Sequence, residues 1–287
     1  MTDQPDQRPP LEIDTEKIPE LLPILPLFDA ALFPKMVLPL VVMQGDSVRL
    51  VDEAMAKNRI IGLVVSKKLE DGNKPEHEDL ARVGTSALIL KMAKTQDNRT
   101  QLLVQGLHRF RIKSWENRRP YLRARIELVE ENEVKDNETE ALMSNLIEQF
   151  IRIVELSAGL PPEIGQMAKS IQEAGTLADM IASTINSSPA EKQKVLEIEN
   201  VKGRLKEVTR LVNHQLSILE LGNKIQSQVK GDMDQSQKEY YLRQQLKAIK
   251  EELGETDESQ VEIEEYRDKI EARNLPQEAR KEAEREL

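Results

Sequence analysis

The 287-residue chain carries 41 Lys+Arg against 51 Asp+Glu, a net charge of −10, and no cysteine, which excludes disulfides and thiolate metal sites. Aromatic residues make up 3% and charged residues 32% at mean hydropathy −0.54, a balance that suits helices exposing much of their surface. No apolar run approaches the roughly 20 residues that span a bilayer, and Met1–Pro10 is unlike a targeting peptide, so the expectation is a soluble cytoplasmic protein without a membrane partner.

Residues 1–19 read as a disordered tail, rich in proline and charge and without periodicity. Leu21–Leu27 and Met36–Val42 are apolar strand-like runs whose prolines, 23, 26 and 39, cannot donate to a ladder and so predict sheet edges or bulges. Asp46–Asn58 has helical spacing, and Ile60–Val65 is a β-branched run of a buried strand. Val83–Met92 and Thr100–Gln105 flank a turn at Gln96-Asp97-Asn98. Phe110–Trp115 and Leu122–Val129 flank a second turn, Glu116–Pro120. Six or seven strands with one helix, over residues 20–131, predict a small closed or half-closed sheet.

From Asn137 the period turns helical. One helix ends at Gly159 and Pro161-Pro162, and two more span Pro162–Glu173 and Leu177–Ile185, the latter with Thr176 as its cap. Ser188-Pro189-Ala190-Glu191 is a capping box with proline at the first helical position. Residues 132–199 thus predict a helical bundle.

Asn200–Gly254 then reads as one helix of about 53 residues, roughly 80 Å at 1.5 Å per residue, with no internal proline. Its first part repeats apolar residues from Val201 to Leu219, its middle is polar, and an apolar stripe resumes at Tyr240, Tyr241, Leu242, Leu246, Ile249 and Leu253. Such a pattern suits a strut with packed ends. Gly222 and Gly231 lie in the thin middle, each costing about 1 kcal/mol against alanine, and are hinge candidates. Residues 255–287 read as a linker and the start of a further helical segment, cut before any cap signal.

The search for catalytic chemistry finds no phosphate-cradling G-x-x-x-x-G-K-[ST], no G-x-S-x-G and no H-E-x-x-H. His77, His108 and His214 fall in separate elements, so no catalytic, cofactor or metal residue is assigned. Residues 1–130 hold 20 Lys+Arg and 19 Asp+Glu; residues 131–287 hold 21 and 32, an acidic balance that argues against a nucleic-acid surface there. Arg109, Arg111, Arg118, Arg119, Arg123 and Arg125, interleaved with Trp115 and Tyr121, form the one basic cluster.

Four ordered stretches carry a family resemblance. LPILPLFDAALFPKMVLPLVV resembles the opening strand–loop–strand of the Lon protease amino-terminal domain. VGTSALILKM, LLVQGLHRFRI and PYLRARIE resemble its later strands, and ADMIASTIN with KQKVLEIENVKGRL its helical bundle. KEYYLRQQLKAIKEELGE, at Lys238–Glu255, resembles the segment upstream of the Lon ATPase module. The resemblance implies an α+β fold, a PUA-like β pseudobarrel followed by a bundle and one very long helix. It implies a bacterial parent that is an ATP-dependent serine endopeptidase and homohexamer, with ATP, magnesium and a Ser-Lys dyad serving modules downstream. For this chain it implies no activity and no cofactor, but binding of unfolded or damaged protein and a part in assembly.

Apolar groups outside an evident core mark the surface for such binding: Phe33, Pro34 and Met36 in the loop Phe28–Met36, and Met233 on the strut. The stripe Tyr240, Tyr241, Leu242, Leu246, Ile249 is the candidate for interdomain or subunit packing, predicting weak small oligomers of this piece alone. A free-standing chaperone-like adaptor and an RNA-binding PUA-like protein are the alternatives.

Overall fold

The computed structural model describes residues 18–43, 45–68, 75–95, 99–116, 120–131, 135–252, 258–272 and 283; within the helices, the side chains at 231–234, 236, 251–252, 258–262, 264 and 271 lie outside the description. The chain divides into two units, Met1–Leu221 and Gly222–Leu287.

The first unit begins with a six-stranded sheet. Its strands are β1 (Leu21–Leu27), β2 (Val37–Val42), β3 (Ile60–Val65), β4 (Val83–Lys94), β5 (Thr100–Glu116) and β6 (Arg123–Leu128), with helix α1 (Gly45–Met55) between β2 and β3. Strand order is β2-β5-β4-β3-β1-β6, and a further β5–β6 pairing curls the sheet back on itself. β1 and β3 are parallel, and every other pairing is antiparallel. β3 is buried at all six positions, as its unbroken apolar run requires.

The β5 strand departs from expectation, because its two predicted pieces are one 17-residue strand that serves β2, β4 and β6 in turn. Gly106 makes that possible, since a Cβ there would sit 2.2 Å from the Phe33 carbonyl oxygen. The turn before β2 lies directly on this glycine: Lys35 N–H donates to Gly106 O (2.9 Å) and Gly106 N–H to Met36 O (2.8 Å). Lys35 itself stands at φ 63°, in the left-handed region. The predicted turn at 96–98 and residues 117–119 of the predicted turn Glu116–Pro120 lie outside the described residues, as does the tail over 1–17. Ile18, assigned to that tail by composition, is buried against Leu22, Phe110 and Ile126 because the chain already packs before β1 begins.

Helices α2 (Asn137–Leu156), α3 (Glu163–Ser170), α4 (Ala174–Thr184), α5 (Pro189–Glu197) and the first turns of α6 (Val201–Glu252) make the bundle. Their core runs from Leu146, Phe150 and Ile153 through Leu177 and Ile181 to Leu205, Val208 and Val212. Phe33 of the loop before β2 and Val83 of β4 enter the same core, so the sheet domain and bundle share apolar packing. Asp136 caps α2 by accepting from Thr139 N–H, and Ser188–Glu191 closes the capping box of α5 with Pro189 in its first turn. Thr176 is not the cap of α4; the helix starts earlier, at Ala174 behind Glu173, and the Thr176 hydroxyl donates to the Glu173 carboxylate (2.6 Å).

In the second unit α6 continues as helix to Glu252 without a break at Gly222 or Gly231, and α7 spans Glu258–Ala272. The predicted stop at Gly254, with Leu253 beside it, lies outside the described residues.

Candidate functional site

Proline placement shapes the candidate site. Pro39 lies on the edge strand β2, as expected, but Pro23 and Pro26 lie on β1, between β3 and β6 in the sheet order. β1 tolerates them by changing partners midway: residues 21–23 pair with β6 and residues 24–27 with β3, so each proline has one strand neighbour. Beyond Ile24 the β1 edge turned away from β3 has no strand beside it among the described residues, and neither does the outer edge of β2.

Between these edges runs a groove of about 460 Å³, lined by Leu25–Ala30, Leu38–Met43, Ser47 and Pro75. β2 alternates, with Leu38 and Leu40 turned to the sheet core and Val37, Pro39 and Val41 turned outward. Val41 is 56% and Met43 57% exposed, and Val37 is exposed too, a cluster of apolar side chains in water along one strand. Among the described residues, Asp29 is the charged member of the lining.

The sequence candidates distribute unevenly around this surface. Phe33 is 0% exposed and buried in the bundle core, so it cannot meet a partner; its ring plugs the joint between sheet and bundle. Pro34 and Met36 are half-buried, Met36 packing against both cores. The Met233 side chain lies outside the described residues, and Gly231 is placed only as a helical position. At Gly222 nothing lies within 4 Å of an added Cβ. Tyr240, Tyr241, Leu242, Leu246 and Ile249 are all exposed. The composition signal for methionine and phenylalanine missed Val37, Val41 and Met43. The outward-facing positions of a strand read over VLPLVVM, Val37–Met43, are apolar as well as its inward ones, and that two-sided apolarity is the signal for them.

The arginine cluster does not make a phosphate-binding face among the described residues. Arg109 is 1% exposed and donates to Asp179 Oδ1 (2.5 Å), to the Glu131 carboxylate and to Leu196 O (3.2 Å). Arg204, 0% exposed, reaches the same Glu131 (2.6 Å) and Asp179 (3.4 Å). Burial pushes the Asp179 carboxyl up, and the Arg109 and Arg204 guanidinia pull it back. Gly175 lets the group sit against α4, since a Cβ there would come within 2.9 Å of Glu131 Oε2. Arg111 pairs with Glu199, Arg125 with Glu116, and Arg123 with Glu53 and the Tyr121 hydroxyl; Arg118 and Arg119 lie outside the described residues. These arginines join sheet to bundle and strand to strand. Lys35 adds another tie, pairing with Glu173 and donating to Thr176 Oγ1 (3.2 Å). The ion pair with Lys35, then the Thr176 hydroxyl, holds Glu173 below the usual carboxylate range.

The comparisons with known proteins agree with this architecture. Residues 21–214 match the family model described as the ATP-dependent protease La (LON) substrate-binding domain. The chain is 54% identical over 273 residues to a Lon protease of Desulfosudis oleivorans and 55% identical over 274 residues to one of Syntrophus aciditrophicus. Those alignments cover 95% and 94% of this chain but 33% and 35% of the relatives, so the chain spans about a third of the length of the curated relatives it matches. The N-terminal domain of the Mycobacterium avium complex Lon protease has the same fold, with a TM-score of 0.55 at 23% identity over 69% of this chain and 98% of that one.

Proposed function

Because the chain belongs to the family of Lon (ATP-dependent protease La) substrate-binding domains, we propose that it captures unfolded or damaged protein for an ATP-dependent serine protease and positions it there. The observation that carries the reading is the exposed apolar row Val37, Val41 and Met43 beside the β1–β2 groove. Unfolded chains share exposed apolar residues rather than one sequence, so their receptor needs accessible apolar groups on a firm support. β2 supplies both, since its inward residues are anchored in the sheet core while its outward residues meet water. Pro34 and Met36 border this row at its amino-terminal end and Met233 remains a second contact on the long helix.

Chemistry belongs elsewhere in the parent protein. ATP and magnesium would serve its ATPase module and a Ser-Lys dyad its protease module, in a homohexamer of the bacterial cytoplasm. The part of this chain is recognition and assembly, with purified chain showing neither ATPase nor peptidase activity. The exposed stripe Tyr240–Ile249 gives it weak self-association, which a tight hexamer in sedimentation at low micromolar concentration would contradict. No described helix is long and apolar enough to cross a membrane.

The test is fluorescence anisotropy of a labelled, permanently unfolded protein titrated with the chain. Val41→Ser and Met43→Ser should each weaken binding by about three- to tenfold, a loss of roughly 0.7–1.4 kcal/mol, with little change in melting temperature because these groups are already in water. Phe33→Ser should instead unfold the sheet–bundle joint. Unchanged affinity in both surface variants would place capture elsewhere.

A further inference from the structure

The direction of the main-chain groups along the two free edges can be read from a few hydrogen bonds. In a strand, N–H and C=O of one residue point to the same side and alternate along the chain. Ile24 N–H donates to Leu122 O (2.9 Å), on the β6 side, while Leu27 O accepts from Ser66 N–H (2.7 Å), on the β3 side. Pro26 therefore turns its carbonyl, and its missing N–H, toward the groove. On β2, Met36 O accepts from Gly106 N–H, so Leu38, Leu40 and Val42 face β5, whereas Val37, Pro39 and Val41 face away. Prolines thus stand at both lips, which keeps the two edges from pairing with each other or with a like edge. The two edges offer the carbonyls of Pro26, Val37, Pro39 and Val41, with donors from Val37 and Val41, and of these Pro26, Pro39 and Val41 line the groove.

We infer that this groove seats an extended segment of unfolded polypeptide, which adds to the outer edge of β2 as a strand. The inference rests on the capture function proposed above and specifies how the captured chain is held. An unfolded segment is the partner that arrives with its own main chain unpaired, and one added strand would meet β2 on one side and the Pro26 carbonyl on the other. Along the six residues of β2 it would run about 20 Å. Its alternate apolar residues would pack on Val37, Val41 and Met43, outside the reach of any sequence-specific pocket. The surplus of carbonyls and the Asp29 carboxylate favour neutral or basic segments over acidic ones. Main-chain recognition of this kind reads extension and apolarity, which suits a receptor for many substrates.

The test uses a labelled eight-residue peptide of alternating valine and lysine, N-methylated at every second residue in one of two frames. Methylation in the frame whose N–H groups face β2 should lower affinity about tenfold or more, and the other frame, which meets only the Pro26 carbonyl, should cost clearly less, about threefold or below. Val41→Pro removes an outward N–H as well as the valine side chain, leaves the β2–β5 ladder intact and should cost about tenfold more than Val41→Ala, which trims the side chain and keeps the N–H. Replacing lysine by glutamate in the peptide should weaken binding. Equal effects of both methylation frames would overturn strand addition, as would peptide binding by Val41→Pro that is no weaker than by Val41→Ala. Competition by the chain's own residues 1–17, or by a second copy, that blocks the groove against all peptides would overturn it too. If the chain binds unfolded protein but the peptides fail, strand addition falls alone; if it binds neither, the capture function falls with it.

Discussion

Arg109 is a buried polar tie between the sheet and the bundle. It stands on β5, reaches Asp179 on α4 and the carbonyl of Leu196 in the last turn of α5, and shares Glu131 with Arg204 of α6. Removing one member of a buried ionic group leaves its partner uncompensated, at a cost of about 3–5 kcal/mol, whereas replacing both with apolar groups of similar size costs far less. Arg109→Met should therefore destabilise the first unit by that amount in urea denaturation, and Arg109→Met with Asp179→Leu should recover a large part of it. Additive losses would show that the two groups act separately. Asp136 works at the surface. The Lys202 ammonium, followed by the Thr139 N–H and hydroxyl, holds its carboxyl down to about 2. A carboxyl with a depressed folded pKa contributes stability above its unfolded value, near 3.9, which is lost as pH falls toward 2. Melting temperatures of Asp136→Asn should fall less steeply between pH 4 and 2 than those of the parent chain, since asparagine keeps the cap without the charge. Identical slopes would remove the Lys202 pairing as a source of acid sensitivity.

The elements were legible to different degrees. The period-3.6 apolar spacing and capping box gave α5 and the long helix nearly residue by residue, because local signals set them. β5 was not legible as one strand, since the Gly106 that looks like an interruption is what lets the Phe33 turn lie against it. The prolines of β1 implied an edge, and the partner change at Ile24 that accommodates them is a property of the closed sheet, invisible along the chain. Phe33 failed as a surface candidate for the same reason: a loop aromatic beside broken strands reads as exposed until the bundle is folded over it. For α6 the hinge remains a proposal. Gly222→Ala and Gly231→Ala should each add up to about 1 kcal/mol of helix stability, slowing amide exchange between residues 222 and 240. In the full-length parent they should alter degradation of bulky substrates more than of short peptides. Equal effects on both, or unchanged exchange, would leave the glycines without a hinge role.

At the scale of the molecule, the family was readable from four ordered motifs, and the match over residues 21–214 bears that out. The proposed capture surface was less legible than membership, because it depends on which edges of a closed sheet remain open. The first unit ties its sheet to its bundle through a shared apolar core, the Arg109 group and the Lys35–Glu173 pair, while the outer edge of β2 stays in water. A firm body with one soft apolar lip is what a receptor for many unfolded chains requires. Hydrogen–deuterium exchange of the chain, with and without a saturating unfolded protein, tests this directly. The account predicts protection concentrated in residues 25–30 and 37–43, with the bundle amides unchanged. Protection confined to the bundle or the long helix, with β2 exchanging as before, would contradict it.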